Sequence, residues 1–227
     1  MAEAQIRRPP THPNHGPRWR DWMLACGSIL VGCGRPKPEP VEVLFAGDSD
    51  IEGWNTARYA DSANIGVGGA VCRDTRETLD DTLGMFKPQA VVLVCGENDL
   101  WEQGVRRTFN DFSAVVERIH QAGASVIYMG TKPEPLTADL HSAYRDYDAL
   151  IRGHAIDLAQ DGSTPLVMID VYTAFEALGN PDSLYQNDRL HLSRAGYALW
   201  HEWLTTAWTD EYCIVWESGR CQAVWEQ

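Results

Sequence analysis

Residues 90–99 read Ala-Val-Val-Leu-Val-Cys-Gly-Glu-Asn-Asp, an apolar run that stops at Gly96 and is followed by polar side chains. A continuous apolar run of this length, bounded by glycine, is typical of a strand that is covered on both faces. Strands buried on both faces occur almost only in parallel sheets that are flanked by helices. The stretch therefore predicts an α/β protein.

Other apolar runs alternate with amphipathic stretches along the rest of the chain. The patterns predict strands at 41–46, 62–65, 125–129 and 166–170, and helices at 73–83, 110–121, 139–159 and 194–208. Strands that alternate with helices form a parallel sheet through right-handed crossovers. We therefore expect one domain over residues 41–208, a three-layer α/β/α sandwich whose five parallel strands lie in the order 2-1-3-4-5.

The composition excludes several classes of protein. Hydrophobic residues make up 44% and charged residues 22% of the chain, which is typical of neither a disordered nor a membrane-spanning protein. The formal net charge of -13 repels phosphate backbones, so we expect no nucleic-acid partner.

The first forty residues differ from the rest of the chain. Four arginines precede a short apolar run from Trp22 to Gly32, a pattern typical of a secretion signal. The segment that ends at Cys33 resembles a bacterial lipobox, which predicts a signal peptide over 1–32, lipid on Cys33, and a Pro-rich tether over 33–40. We therefore expect an exported lipoprotein of the bacterial cell envelope that meets the membrane only through its lipid. The alternative is an ordinary cleaved signal with an incidental cysteine.

The remaining cysteines divide into two groups. Cys213 and Cys221 flank two short strand-like runs, so a disulfide between them is a candidate staple for the tail at 209–227. Cys72 and Cys95 fall in apolar or loop settings, and we expect them to be buried thiols.

Residues suited to acyl transfer follow the predicted strands. In open parallel sheets, ligands bind beyond the carboxyl ends of the strands, where the strand order reverses. Ser49 follows the first strand, Gly66 the second and Asn98 the third, and Asp188 and His191 come just before the last helix. Histidine is suited to remove the proton of a serine nucleophile, and a carboxylate orients the imidazole. The amides of Ser49 and Gly66 and the carboxamide of Asn98 are candidate donors to an oxyanion.

These motifs resemble the four conserved blocks of the SGNH (GDSL-type) hydrolases, in the same order. They are Gly47-Asp48-Ser49, the Asn64-x-Gly66 loop, Gly96-x-Asn98-Asp99 and Asp188-x-x-His191. Residues 131–135, Thr-Lys-Pro-Glu-Pro, resemble a segment of a bacterial subgroup related to platelet-activating-factor acetylhydrolase-like esterases. The resemblance implies a flavodoxin-like sandwich and ester hydrolysis through an acyl-enzyme. It assigns Ser49 as nucleophile, His191 as base, Asp188 as the residue that orients it, and Gly66 and Asn98 as oxyanion donors.

Asp50 departs from the family pattern, which usually has an apolar or hydroxyl residue after the nucleophile. Its carboxylate could disfavour the oxyanion, raise the pKa of His191, or lie at a helix N-terminus. We favour the helix N-terminus.

The motifs predict a serine esterase for short acyl groups, with O-acetylated carbohydrates as candidate substrates and no cofactor or metal. The strand-end loops are short and no large lid insertion is present, which favours a small acyl group. A lysophospholipase or thioesterase with the same catalytic residues is one alternative. A non-catalytic lipoprotein that binds a glycan is another, and Asp50 is the residue that supports it.

Overall fold

The computed structural model describes residues 39–208. Five parallel strands form one sheet in the order β2-β1-β3-β4-β5. The strands are β1 (Val43–Gly47), β2 (Ser62–Asn64), β3 (Ala90–Val94), β4 (Ser125–Met129) and β5 (Leu166–Ile169). Both the parallel sheet and its predicted strand order are confirmed.

Seven α-helices in this part of the chain connect and flank the strands. They are α1 (Ser49–Gly53), α2 (Cys72–Phe86), α3 (Glu97–Leu100), α4 (Val105–Gln121), α5 (His141–Gln160), α6 (Val171–Ala177) and α7 (Arg194–Trp208). Short 3-10 turns lie at Thr56–Arg58, Pro135–Leu140 and Asp182–Leu184.

The core consists of two buried clusters, one on each face of the sheet. Leu44, Val91 and Val126 belong to the cluster that includes residues of α2, α4 and α5. The neighbouring strand residues Phe45 and Val92 belong to the cluster that includes residues of α1, α6 and α7. Because successive side chains of a strand point to opposite faces, this division produces three layers. The predicted α/β/α sandwich is confirmed.

All five strands and the four long helices match their predictions to within about five residues at each end, whereas three short helices have no predicted counterpart. The strand Ser125–Met129 and the helix Arg194–Trp208 begin and end where the sequence patterns place them. The helices α1, α3 and α6 were not predicted, since they have only 5, 4 and 7 residues. Such lengths span two helical turns or fewer, so no hydrophobic periodicity can develop.

Several predictions lie outside the described residues. They are the signal over 1–32, the lipid site Cys33, nearly all of the tether at 33–40, and the Cys213–Cys221 disulfide of the tail. Within the described part of the chain, no helix has the length and apolar character needed to cross a bilayer.

Candidate active site

The carboxyl end of β1 positions Ser49. The strand ends at Gly47, and Ser49 is the first residue of α1. Asp48 caps this helix, because its Oδ1 accepts a hydrogen bond from the amide of Asp50 at 3.0 Å. The serine therefore lies in a tight strand-to-helix turn at the carboxyl edge of the sheet, which is the edge that the sequence predicts for the site.

His191 lies in a short loop that closes on itself. The amide of Gln186 donates to the carbonyl of His191 at 2.8 Å, and the Gln186 side chain donates to the carbonyl of Leu192 at 3.0 Å. Arg189, inside the loop, has a φ of 59°, and its carbonyl accepts from the amide of Leu136. These bonds fix the backbone just before α7 and therefore fix the position from which the imidazole of His191 extends.

The structure brings Ser49, His191 and Asp188 together as a relay. Nε2 of His191 is 3.1 Å from Oγ of Ser49, and Nδ1 is 2.7 Å from Oδ2 of Asp188. The amides of Leu190 and His191 also donate to Oδ1 of Asp188, each at 3.1 Å. Partial burial opposes ionisation of Asp188, but the bonds from the His191 side chain and these two amides lower its pKa below the ordinary value. Asp188 is thus an anion that favours Nδ1–H and leaves Nε2 free to accept a proton from Ser49.

The amide of Gly66, predicted as an oxyanion donor, is already in use. It donates to Oδ1 of Asn64 at 2.9 Å. A side chain at position 66 would lie 2.3 Å from the backbone nitrogen of Glu52, so this glycine allows the loop to pack against α1. The structure therefore argues against Gly66 as a donor and gives it a packing role.

The free amides of this loop are those of Gly68 and Gly69. The amide of Ala70 donates to the carbonyl of Val67, and Gly69 has a φ of 74°, a conformation that favours glycine. Among the described residues, neither Gly68 nor Gly69 has a partner for its N–H, and both are exposed. A Cβ at position 68 would lie 4.0 Å from Cβ of Ser49, which places this turn beside the serine.

Asn98 follows β3, in the first turn of α3. Its Nδ2 donates to the carbonyl of Ala70 at 3.0 Å and lies 3.5 Å from Oδ2 of Asp48. The first contact joins the β3 loop to the glycine turn. The second is long and therefore weak. One N–H of Asn98 can accordingly turn toward a new acceptor at small cost.

A buried charged cluster lies beneath the Ser49 turn. Nζ of Lys132 donates to Oδ2 of Asp50 at 2.5 Å, Oε1 of Glu134 at 2.6 Å and Oε2 of Glu97 at 2.7 Å. All four side chains are at most 8% exposed. Asp50 does lie in the first turn of α1, as favoured from the sequence, but its charge partner is Lys132 rather than the helix end.

This cluster is buried and contains more acids than bases, and both features shift the pKa values of its side chains. Burial first, and then the charge of Asp50, raises the pKa of Asp48 to about 8. Burial also raises the pKa of Glu97 well above its ordinary value, although Lys132 acts in the opposite direction. Burial alone would lower the pKa of Lys132, but the carboxylates of Asp50, Glu134 and Glu97 outweigh it and raise that pKa well above its ordinary value. Lys132 is therefore charged at neutral pH.

The same cluster offers a carboxylate spacing that a metal ion can use. Oxygens of Asp48, Asp50 and Glu97 lie within 4.8 Å of one another. The ammonium group of Lys132, however, contacts both Asp50 and Glu97 and supplies the positive charge there. The donor set is thus matched to the lysine, and a metal ion would have to displace it.

Cys72 and Cys95 form a disulfide, so the expectation of two buried thiols is wrong. Their Cα atoms are 5.2 Å apart. Cys72 is the first residue of α2, directly after the glycine turn, and Cys95 directly follows β3. The bond therefore joins the two loops that carry Gly69 and Asn98. The convergence of strand ends, used to group the catalytic residues, also brings these cysteines together.

Sequence reasoning missed the Lys132 cluster, although a signal for it exists. Lys132 and Glu134 follow β4, and Glu97 follows β3, so all three lie at the same sheet edge as Ser49. They were not grouped with it because lysine and glutamate are almost never fully buried unless paired. Trp54, directly after α1, packs in the core against Phe45 and Trp200.

A parallel sheet with serine, histidine and aspartate side chains in hydrogen-bond reach at its carboxyl edge has the groups that acyl transfer needs. The GDSL-like Lipase/Acylhydrolase family model matches residues 27–199. The chain belongs to this family and is a hydrolase that acts on esters. No curated protein matches the chain.

Solved structures with the same fold include several lipolytic proteins. A G-D-S-L family lipolytic protein from Veillonella parvula has a TM-score of 0.61 and 17% identity, covering 75% of this chain and 99% of its own. A Streptococcus protein described as a platelet activating factor has a TM-score of 0.60 and 19% identity, covering 74% and 83%. A mutant of an acetyl-xylooligosaccharide esterase from Geobacillus has a TM-score of 0.57 and 18% identity, covering 75% and 95%. At these identities the likeness shows the fold alone.

Proposed function

We propose that the protein hydrolyses short-acyl esters through a covalent acyl-enzyme on Ser49. The observation that carries this proposal is the relay itself, in which 3.1 Å separates Oγ of Ser49 from Nε2 of His191 and 2.7 Å separates Nδ1 from Asp188. A serine hydroxyl is a weak nucleophile until an adjacent base accepts its proton. Both distances lie within hydrogen-bond reach for that transfer.

The first half-reaction transfers the acyl group to the serine. Oγ of Ser49 attacks the ester carbonyl carbon while its proton passes to Nε2 of His191, and the carbonyl oxygen becomes an oxyanion. When the tetrahedral intermediate collapses, the alkoxide leaves and takes the proton from Nε2 as an alcohol. Asp188 remains an anion throughout and stabilises the transient imidazolium.

The second half-reaction releases the acid. Water attacks the acyl-enzyme, and His191 accepts its proton. Collapse of the second intermediate breaks the bond to Oγ, which regains its proton from His191, and the carboxylic acid leaves. In both halves the oxyanion needs fixed donors. We assign the amide of Ser49, a free amide of the Gly68–Gly69 turn, and the N–H of Asn98 that makes the long contact with Asp48.

We further propose an acetylated carbohydrate as the substrate. A cleft of about 190 Å³ is lined by Asp99, the residue after Asn98, and by Val71, two residues after Gly69, but not by Ser49 or His191. Its polar lining consists of Arg73, Asp99, Glu102, Gln103, Arg107 and Asp111. Such donors and acceptors suit a hydroxyl-rich leaving group better than a long alkyl chain. An acetyl-xylooligosaccharide esterase is among the proteins that share the fold.

The test of the mechanism is hydrolysis of nitrophenyl acetate by the full chain and two serine variants. We expect Ser49→Ala to lower kcat at least about 10³-fold. The matched control is Ser163→Ala, which changes an exposed serine in the turn before β5 and should leave kcat unchanged. Full activity in Ser49→Ala would overturn the proposal.

The test of the substrate compares acyl lengths and leaving groups. We expect acetate esters to be cleaved faster than octanoate esters, and an acetylated xylooligosaccharide faster than a lysophospholipid. The reverse order would favour a lysophospholipase or thioesterase. Binding of the glycan without turnover, unchanged by Ser49→Ala, would favour a glycan-binding lipoprotein.

For the cellular location we propose export and lipidation at Cys33. The basic and apolar pattern of the first 32 residues supports it, and so does the Cys72–Cys95 disulfide, since disulfides persist mainly in oxidising compartments. In a bacterial host, we expect a labelled fatty acid to be incorporated into the full chain and lost in Cys33→Ala. Equal labelling of both chains, or none in either, would contradict lipidation at this residue.

A further inference from the structure

A contribution to stability does not by itself explain why the Lys132 cluster is buried. Replacing a buried ion pair by apolar side chains of similar volume is often neutral or stabilising, so buried charges are weak evidence of a stabilising role. This cluster is also over-acidic, with Asp50, Glu97 and Glu134 on one ammonium group and Asp48 nearby. Such an arrangement is costly to bury. The positions of its members in the chain indicate what it does.

Two of the three carboxylates are immediate neighbours of site residues. Asp50 follows Ser49, and Glu97 precedes Asn98. An ammonium group has three N–H donors, and here each one goes to a different carboxylate. The backbone amide of Lys132 also donates to Oε1 of Glu97 at 2.7 Å. One buried residue therefore connects the turn that carries Ser49 with the turn that carries Asn98.

Asp50 is held from several directions. Its amide donates to Oδ1 of Asp48 at 3.0 Å, and its carbonyl accepts from the hydroxyl of Tyr197 at 2.9 Å. Oδ2 of its carboxylate accepts a hydrogen bond from Lys132, while Oδ1 is buried with no hydrogen-bond partner among the described residues. Loss of the lysine contact would leave both oxygens of a buried carboxylate without a hydrogen bond.

The segment that contains Lys132 is itself anchored. The buried carboxylate of Asp148 on α5 accepts from the amide of Thr131 at 3.2 Å, from its hydroxyl at 2.8 Å, and from the hydroxyl of Tyr128 at 3.1 Å. On the far side, Glu134 accepts from the hydroxyl of Thr137 at 2.9 Å. The lysine therefore extends from a fixed backbone.

We propose that Lys132 is a positioning residue that sets the Ser49 turn relative to the Asn98 turn through Asp50 and Glu97. This inference rests on the proposed serine mechanism, because it concerns the alignment of the nucleophile with an oxyanion donor. Misplacement of reacting groups by about 1 Å can cost 10²-fold in rate. Lys132 touches no reacting atom and acts only through its two partners.

The sign of the expected effect separates positioning from electrostatics. A carboxylate close to an oxyanion disfavours it, so removal of the Asp50 charge would raise kcat if the charge alone mattered. Under positioning, Asp50→Ala lowers kcat because the contact with Lys132 is lost. Asp50→Asn keeps an oxygen that can accept from Lys132, so it restores most of the rate.

The experiment measures kcat and KM for nitrophenyl acetate with the full chain and three variants. We expect Asp50→Ala to lower kcat about tenfold or more, with KM within about twofold, and Asp50→Asn to recover most of that loss. The matched control is Glu134→Ala, which removes a carboxylate from the same nitrogen but is a chain neighbour of neither Ser49 nor Asn98. Its kcat should stay within about threefold of wild type.

Labelling of Ser49 by a fluorophosphonate gives a readout that needs no ester substrate. We expect Asp50→Ala and Lys132→Met to be labelled at least about tenfold more slowly than wild type, and Glu134→Ala at the wild-type rate. If Asp50→Ala does not fold, Lys132→Met supplies the comparison. Wild-type or faster rates in folded Asp50→Ala, or equal losses in Asp50→Ala and Glu134→Ala, would overturn the inference. An inactive wild type whose Ser49 is not labelled would overturn the serine mechanism instead.

Discussion

Two sets of ionisable side chains contact the Ser49 turn, and they differ in their exposure to water. His191 and Asp188, which form the relay, are 33% and 45% exposed, whereas Lys132 and its three carboxylate partners are at most 8% exposed. A group that moves protons must change its charge reversibly, which water allows at low cost. A group that fixes geometry must keep its charge, and the carboxylates around Lys132 hold it in its charged form although burial acts in the opposite direction. We therefore expect loss of the first group to remove activity with little effect on stability, and loss of the second to lower stability strongly and the rate more modestly.

Removal of the relay base should produce the largest effect. We expect His191→Ala to lower kcat at least about 10³-fold, because Ser49 loses the acceptor of its proton. The melting temperature should change by less than about 2 °C, since the imidazole is partly exposed and its loop is closed by backbone bonds. His154→Ala, on α5, is the control for activity. A melting temperature that falls together with kcat would contradict this separation of activity from stability.

Removal of the buried lysine should give the largest loss of stability. We expect Lys132→Met to lower the free energy of unfolding by about 3 kcal/mol, because buried carboxylates lose their counter-charge. The control is Lys87→Met, the same chemical change at an exposed lysine, which should cost less than about 0.5 kcal/mol. Denaturant unfolding of the two variants provides the measurement. Equal losses would contradict a special role for the buried site.

Neutralising the relay carboxylate should have an intermediate effect on rate. We expect Asp188→Asn to lower kcat about 10²-fold, because an amide no longer favours Nδ1–H or stabilises the imidazolium. The loss should be smaller than that of His191→Ala, since the base remains. Asp182→Asn, an exposed aspartate in the preceding 3-10 turn, should retain the wild-type kcat. The measurement is kcat on nitrophenyl acetate, and an unchanged kcat in Asp188→Asn would exclude Asp188 from the relay.

Buried carboxyls should make stability fall as the pH rises. Burial raises the pKa of Asp48 from 3.8 to about 8 and that of Asp148 from 3.8 to about 7. Between about pH 4 and these values the folded state holds protons that the unfolded chain has released, so rising pH favours unfolding. The lowered pKa of Asp188 acts in the opposite direction only below its ordinary value of 3.8. Three histidines whose pKa values burial lowers from 6.5 also oppose the trend, but their shifts are smaller than those of the two aspartates: His120, His154 and His201.

We therefore expect the melting temperature to drop by several degrees from pH 5 to pH 8. Asp148→Asn should flatten this slope, and Asp161→Asn, the same change at an exposed site, should leave it unaltered. Melting curves across this range provide the check. A melting temperature that rises with pH would show that these carboxyls are ionised in the folded protein.

The sequence predicts this architecture because the signals for the sheet are local. The runs at Ala90–Val94 and Ser125–Met129 are apolar, β-branched and bounded by glycine, so each identifies a strand without knowledge of its neighbours. The predicted position of Ser49 follows from the rule that strand ends converge, and that of His191 from its motif before the last helix and the family resemblance. Both residues lie in the relay.

Features that depend on contacts between loops were not predictable in the same way. The amide of Gly66 bonds to the side chain of Asn64, and only the path of the turn shows that Gly68 and Gly69 are the free ones. The Cys72–Cys95 disulfide and the Lys132 cluster each join segments far apart in the chain. Periodicity and composition do not encode such pairings, and the convergence of strand ends indicates only which loops lie close together, not which side chains pair.

If Ser49 is the nucleophile, its Oγ is the atom that a fluorophosphonate will modify. The full chain is treated with a fluorophosphonate, digested, and mapped by mass spectrometry. We expect one covalent adduct, on Ser49, formed as ester hydrolysis is lost, and no adduct in Ser49→Ala. Hydrolysis that persists in a fully labelled protein, or an adduct on another residue that abolishes activity, would contradict this assignment.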